Sequence, residues 1–188
     1  MDQEGEIQSA VLCEQLPQVQ DFVQNLTYYR SLSSCTKPFE GDFFDVAGYA
    51  FLKAATLAWC NVFADRKSDV YWSKLIDEMP DEVKLDFKKR VRKSTDLTKK
   101  QYREYQCSIR ALRDKYVAHT ELDWQKSVSH DLSFDIALRI AMQYECWLKD
   151  LLRKEGSFTP GDISLNDIIE SAQGDVMRLT ATLSSQNN

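Results

Sequence analysis

Apolar residues recur along this chain at intervals of three and four, in blocks separated by short polar stretches, which is the period of helices rather than strands. The first block runs from about Ile7 to Arg30 through Val11, Leu16, Val19, Phe22, Val23, Leu26 and Tyr29. Pro17 lies inside it and predicts a kink or a split. SLSSCTKPFEG then reads as a loop. The second block, from about Asp42 to Ala64 with Asp42 as N-cap, is apolar almost all round and predicts the central, most buried helix. Its small residues (Ala47, Gly48, Ala50, Ala54, Ala55, Ala58) would let neighbours approach closely. After ADRKSD, Ser68 or Asp69 caps a short helix through Ile76, and Pro80 opens another, DEVKLDFKKRVRK.

Thr98 caps a long helix reaching about Ala118. Its apolar stripe, Tyr102, Tyr105, Ile109, Leu112 and Tyr116, is spaced 3, 4, 3, 4, the seam of an antiparallel bundle. A helix from about Asp131 to Lys154 carries Leu132, Ile136, Ile140, Tyr144, Trp147, Leu148 and Leu151, and Gly156 stops it. FTPGDI is a linker. SLND reads as a capping box with Ser164 at N-cap and Asp167 three residues on. The last helix, with Leu165, Ile168, Ile169, Ala172, Val176, Leu179 and Leu183, is amphipathic and needs its own bundle or a second chain to lie against. The expected architecture is an all-α antiparallel helical bundle with short peripheral helices. Residues 1–156 form the bundle and 157–188 a linker plus the C-terminal helix.

Few Gly and Pro among 188 residues leave long stretches without turn signals, and the length suits one domain. No apolar run approaches the ~18 residues of a membrane span. MDQEGEIQSA is too acidic and polar for a signal peptide, so a cytoplasmic protein with no membrane partner is expected. The five cysteines (Cys13, Cys35, Cys60, Cys107, Cys146) are scattered and form no C-x-x-C pair, which reads as buried thiols in a reducing compartment. With only two histidines besides, no metal site has the needed ligand set, and the isolated glycines form no phosphate loop. No cofactor is expected.

The net charge of −5 argues against a nonspecific nucleic-acid coat protein, yet the charge is uneven. Twelve of the twenty-four basic residues lie between Lys84 and Lys115, opposed there only by Asp86, Asp96, Glu104 and Asp114. Such a sector is either a solvated helix face or a field focused on an anionic ligand.

The sector ends in RDKYVAH, residues 113 to 119. His119 continues the apolar stripe at a helix end, where a histidine also suits the macrodipole. Six residues of regular helix rotate by about 600°, so Arg113 and His119 diverge by roughly 120°. They converge only if the helix ends near Ala118 and His119 swings back, or if two copies of the motif meet across a symmetric dimer.

The string LRDKYVAH resembles the signature of HEPN domains, helical bundles of toxins and abortive-infection systems: Arg, a polar residue, a few positions, then His. Five residues separate Arg113 from His119, within that family's spacing, and Asp114 is a usual polar choice. WCNVFADRKSDVYWSKLI, from Trp59 to Ile76, resembles the corresponding segment of the abortive-infection U branch. Tyr71-Trp72 stands where that branch has His-Trp, and Ala64 where it often has Gly. The resemblance covers roughly residues 42 to 152.

The resemblance implies a metal-independent endoribonuclease, acting as a homodimer in phage defence or as a toxin, with an antitoxin or other regulatory protein as a further partner. RNA carries its own nucleophile, the 2′-OH, so no metal hydroxide is required. His119 would move protons near neutral pH, and Arg113 would brace the phosphate as its charge grows. Asp114 would orient one of them, or merely satisfy a polar helix end. Lys115, Arg110 and Tyr116 are the RNA-contact candidates, Tyr116 also being placed for the core. His130 reads as a solvated residue at a helix start. Trp59, Trp72, Trp124 and Trp147 read as core anchors rather than base-stacking platforms, although Trp124, in the loop after the motif, is also a candidate for exposure. Two other readings remain open: an inactive HEPN-fold module acting through protein partners or nucleotide binding, and a helical adaptor whose Arg113 and His119 are structural.

Overall fold

The structure, a computed structural model, describes residues 14–35, 42–74, 79–118, 133–154 and 164–186, without the side chains of 42, 43, 116–118 and 186. His119, His130 and Trp124 therefore lie outside the described residues. Those residues form six α-helices and no strand: α1 (Leu16–Ser34), α2 (Asp42–Trp59), α3 (Asp81–Thr95), α4 (Lys99–Leu112), α5 (Phe134–Lys154) and α6 (Leu165–Gln186). The all-helical bundle expected from the apolar periodicity is the architecture found.

Local chemistry explains most helix ends. Glu14 and Gln15 are wound as a π turn and α1 begins at Leu16. Pro17 falls in its first turn, where an absent N–H forfeits no α-helical bond. Asp81 and Glu82 open α3 and Arg92 and Lys93 close it, matching the macrodipole at both ends. Asp96 then turns the chain in the left-handed region, φ 55°, and Thr98 and Gln101 form a reciprocal capping box on α4. The expected capping box on α6 is present: Asp167 N donates to Ser164 Oγ at 3.1 Å and Ser164 N to Asp167 Oδ2 at 2.9 Å. Buried Glu145 of α5 accepts a further N–H of that helix start, Leu165 N, at 2.9 Å, and pairs with Lys149.

Helices α1 and α2 run antiparallel. Asn61 bonds Gln18 near one end of the pair, and Tyr28 stacks on Phe51 toward the other. The last helix lies on α1 in the same bundle, where Tyr28 Oη donates to Asp175 Oδ2 at 2.8 Å. The core is an aromatic chain: Trp59, Phe63, Tyr144, Phe87, Trp147 and Trp72 meet at centroid separations of 4.7–6.5 Å, close enough for tilted and edge-on ring contact.

Of the described cysteines only Cys60 is buried, Cys35 being half-buried and Cys107 and Cys146 exposed, so the expectation of buried thiols holds for Cys60 alone. Three further expectations need correction. First, α2 is not buried all round. Val46 is 63% exposed and Leu57 43%, with Ala50 and Ala54 exposed between them, because neighbours cover only its other face. The deepest helix is α5, with nine buried positions. Second, Phe44–Ala64 is long and apolar enough on average to cross a membrane, although Asp45 and Lys53 interrupt its apolar run; half of that window is buried inside the bundle. Third, no short helix follows Ser68 within residues 65–74; successive turns do. Gln15 takes the carbonyls of Val70 and Tyr71 at 3.2 and 3.1 Å, and Trp72 N donates to Val62 O at 2.9 Å, so these groups are committed to tertiary bonds. Tyr144 Oη closes the network on Gln15 Oε1.

Candidate functional site

Both α2 and α4 end by changing from α to π winding, at Cys60–Ala64 and Arg113–Ala118, and each π turn packs on the helix that the other one ends. A π turn widens the helix by one residue and is frequent at functional sites. In the first, Asp65 N reaches Cys60 O at 2.7 Å and the chain leaves the helix at Asp65. Gln106 of α4 fastens this turn by donating to Phe63 O at 2.5 Å. Two turns further along α4, Arg113 meets Asp65.

Arg113 is held by two carboxylates. Its Nη1 lies 2.8 Å from Asp65 Oδ2, and its Nε donates to Asp114 Oδ1, also at 2.8 Å. The Arg113 side chain keeps 19% of its surface open, Asp65 28% and Asp114 62%, so Asp65 is the inner clamp and Asp114 the outer one. The hydrogen bond from Arg113, followed by one from Lys67 N, holds the Asp65 carboxyl below the usual aspartate range. Burial works against the Arg113 charge, but the bonds to Asp65 and Asp114 outweigh it and raise its pKa. Beneath this pair lies Cys60, fully buried; desolvation pushes its thiol up to about 12 against the opposing pull of Arg113. At neutral pH Cys60 is a packed thiol, not a nucleophile.

The anticipated site residues thus separate. Arg113 and Asp114 are brought together. Arg110, one turn earlier and half-buried, places Nη2 3.2 Å from Cys107 Sγ, and its charge reaches Asp65 and Cys60. Lys115 is exposed, Tyr116 belongs to the π turn by its backbone, and His119 lies outside the described residues. Asp65 was missed. It stands 48 positions before Arg113, inside a stretch that reads as a polar break, and no local pattern marks it. Among the described residues no three His, Cys, Asp or Glu side chains are grouped to hold a metal ion.

No family model, curated protein or solved structure matches the chain.

Proposed function

We propose that this protein is a metal-independent endoribonuclease of the HEPN class, acting in the cytoplasm in phage defence or as a toxin, with Arg113 and His119 from two copies forming a composite site. The observation that supports this reading is the clamp on Arg113. The arginine of the LRDKYVAH string is aimed by two carboxylates at a π turn and keeps part of its surface open. An ordinary surface arginine spends side-chain entropy to find such an orientation; this one starts with it. A phosphate would displace the outer carboxylate of Asp114 and keep Asp65 as the anchor. His119 of one copy would take the 2′-OH proton and its counterpart would protonate the leaving 5′-oxygen, giving a 2′,3′-cyclic phosphate and a 5′-hydroxyl end.

A second reading has its own support. Two carboxylates already neutralise Arg113, which suits an inactive HEPN-fold module acting through protein partners or nucleotide binding. RNA cleavage by purified protein in excess EDTA, beside folded Arg113→Ala and His119→Ala proteins, separates the two. Cleavage by the wild type alone is expected. Cleavage that survives both substitutions would sink the Arg/His assignment, and cleavage by none of the three, tested with a range of RNAs, would favour the binding module.

A further inference from the structure

A second place in the same basic sector is built quite differently from the Arg113 clamp. A cleft of about 340 Å³ opens between α3, α4 and the turns after α2. Its floor is apolar and aromatic. Trp72, Phe87 and Val91 form the bottom, almost wholly buried, while the half-buried ring of Tyr102 and the 42%-exposed Leu85 reach the opening. Its rim carries five exposed cations, Arg66, Lys88, Arg92, Lys99 and Arg103, and no acidic residue lines it.

None of the five has a carboxylate partner among the described residues. Some neighbouring cations do: Arg90 binds Asp86 and Asp150, Lys100 lies near Glu104, and Arg113, just past α4, holds Asp65 and Asp114, whereas Lys89 and Lys93 outside the cleft have none either. Of the acids in these segments, Asp65, Asp86 and Glu104 are paired with Arg113, Arg90 and Lys100. Lys88 instead stands 5.8 Å above the Trp72 ring, a cation–π approach. Unpaired like charges around an apolar opening repel one another, and an anion with a flat apolar part relieves both costs at once.

We infer that this cleft binds a segment of single-stranded RNA, one base entering against Tyr102 and Leu85 while neighbouring phosphates lie on the Arg66, Lys88, Arg92, Lys99 and Arg103 rim. The combination of basic rim and ring-lined floor is what an unpaired strand uses, because its bases are free to leave the stack. A duplex would leave the floor empty, and an acidic peptide has no flat ring for it. The volume is at the small end of ligand pockets, ~300–1,000 Å³, and suits one nucleoside.

The cleft also lies close to the clamp. Arg66 directly follows Asp65, and Gln106, which lines the cleft, lies seven residues before Arg113, about 10 Å along the helix axis. A strand seated in the cleft would therefore run toward Arg113. Only this direction rests on the ribonuclease reading; binding does not.

The test is fluorescence anisotropy of a short labelled 2′-O-methyl oligoribonucleotide, which the full-length protein cannot cleave because it lacks the 2′-OH. The wild type should bind, more weakly as salt rises. Lys88→Glu with Arg92→Glu should weaken binding at least tenfold and, by removing two phosphate contacts, flatten the salt slope by about 1.4. Arg66→Glu with Arg103→Glu serves the same purpose if the first pair does not fold. An abasic strand should bind more weakly than the intact one. Lys154→Glu with Arg178→Glu, the same charge change outside the cleft, should cost less than about threefold.

The proposal is overturned if the wild type does not bind the strand, or if the outside pair weakens binding as much as the cleft pair. It is equally overturned if an RNA duplex or polyglutamate competes as well as the strand does. Cleavage assays on unmodified RNA keep the two readings apart. Binding without cleavage by any variant would leave the cleft standing and remove the nuclease. Cleavage with binding unchanged in the cleft variants would do the reverse.

Discussion

The Arg113 clamp and the cleft beside it draw on one basic sector, which Arg66 joins from the turns after α2, and manage charge in opposite ways. At the clamp a half-buried cation is met by two carboxylates, one of them 48 residues away in sequence, so its orientation is set by the fold. Around the cleft five exposed cations are left without carboxylate partners over an aromatic floor. A paired, partly desolvated charge belongs to stability and positioning. An unpaired, solvated one adds little to stability and stays available to a ligand.

The largest effect should come from the floor of the cleft. Phe87 is 1% exposed and packs on Phe63, Trp72, Tyr144 and Trp147. Phe87→Ala should lower unfolding stability by ~3–5 kcal/mol in urea denaturation; a loss under about 1 kcal/mol would mean the aromatic chain is not the core.

Next comes Arg113→Ala, which strands the inner carboxylate of Asp65. It should cost about 1–2 kcal/mol, between an exposed ion pair and a buried one. The same pair has an acid signature. The Asp65 pKa is lowered by folding, so its contribution is present above the unfolded value of 3.8 and is lost as pH falls through the folded value. Wild-type stability should therefore drop more steeply below about pH 4 than that of Asp65→Asn. Parallel acid-denaturation profiles would show that Asp65 is not clamped.

A smaller effect, of opposite sign, is expected at the turn that joins the two helices flanking the cleft. Asp96 holds φ 55°, a conformation that favours glycine. Asp96→Gly should stabilise the protein by up to ~1 kcal/mol, read as a raised urea midpoint, and a lowered one would show that the Asp96 side chain has a further role. Smallest should be the cleft rim itself. Lys88→Glu with Arg92→Glu should move stability by no more than about 0.5 kcal/mol while abolishing most strand binding. A thermal-melting loss comparable to that of Arg113→Ala would erase the distinction between the two regions.

The helical architecture was legible because burial imposes a period of 3.6 on each segment separately. Tyr105, Ile109 and Leu112 of the expected seam are buried, as are Ile140, Tyr144, Trp147 and Leu148 of α5. Caps were legible for the same local reason: Thr98 and Ser164 each bond an N–H three residues ahead. The all-apolar look of α2 misled, since composition states what a helix can bury and not what neighbours arrive to cover it. The turns after α2 misled too, because a distant glutamine, Gln15, competes for their carbonyls.

Helix positions, their ends and the concentration of positive charge between Lys84 and Lys115 follow from residues within a few places of one another, where the chain's own geometry sets the interactions. The partners of those charges do not. That Asp65 reaches Arg113, that Asp150 adds to the local Asp86 pairing of Arg90, and that Lys88 and Arg92 are left facing an aromatic cleft are outcomes of how the helices pack. Charge pairing depends on approach to a few ångströms between residues far apart in the chain, and only the folded bundle brings that approach about.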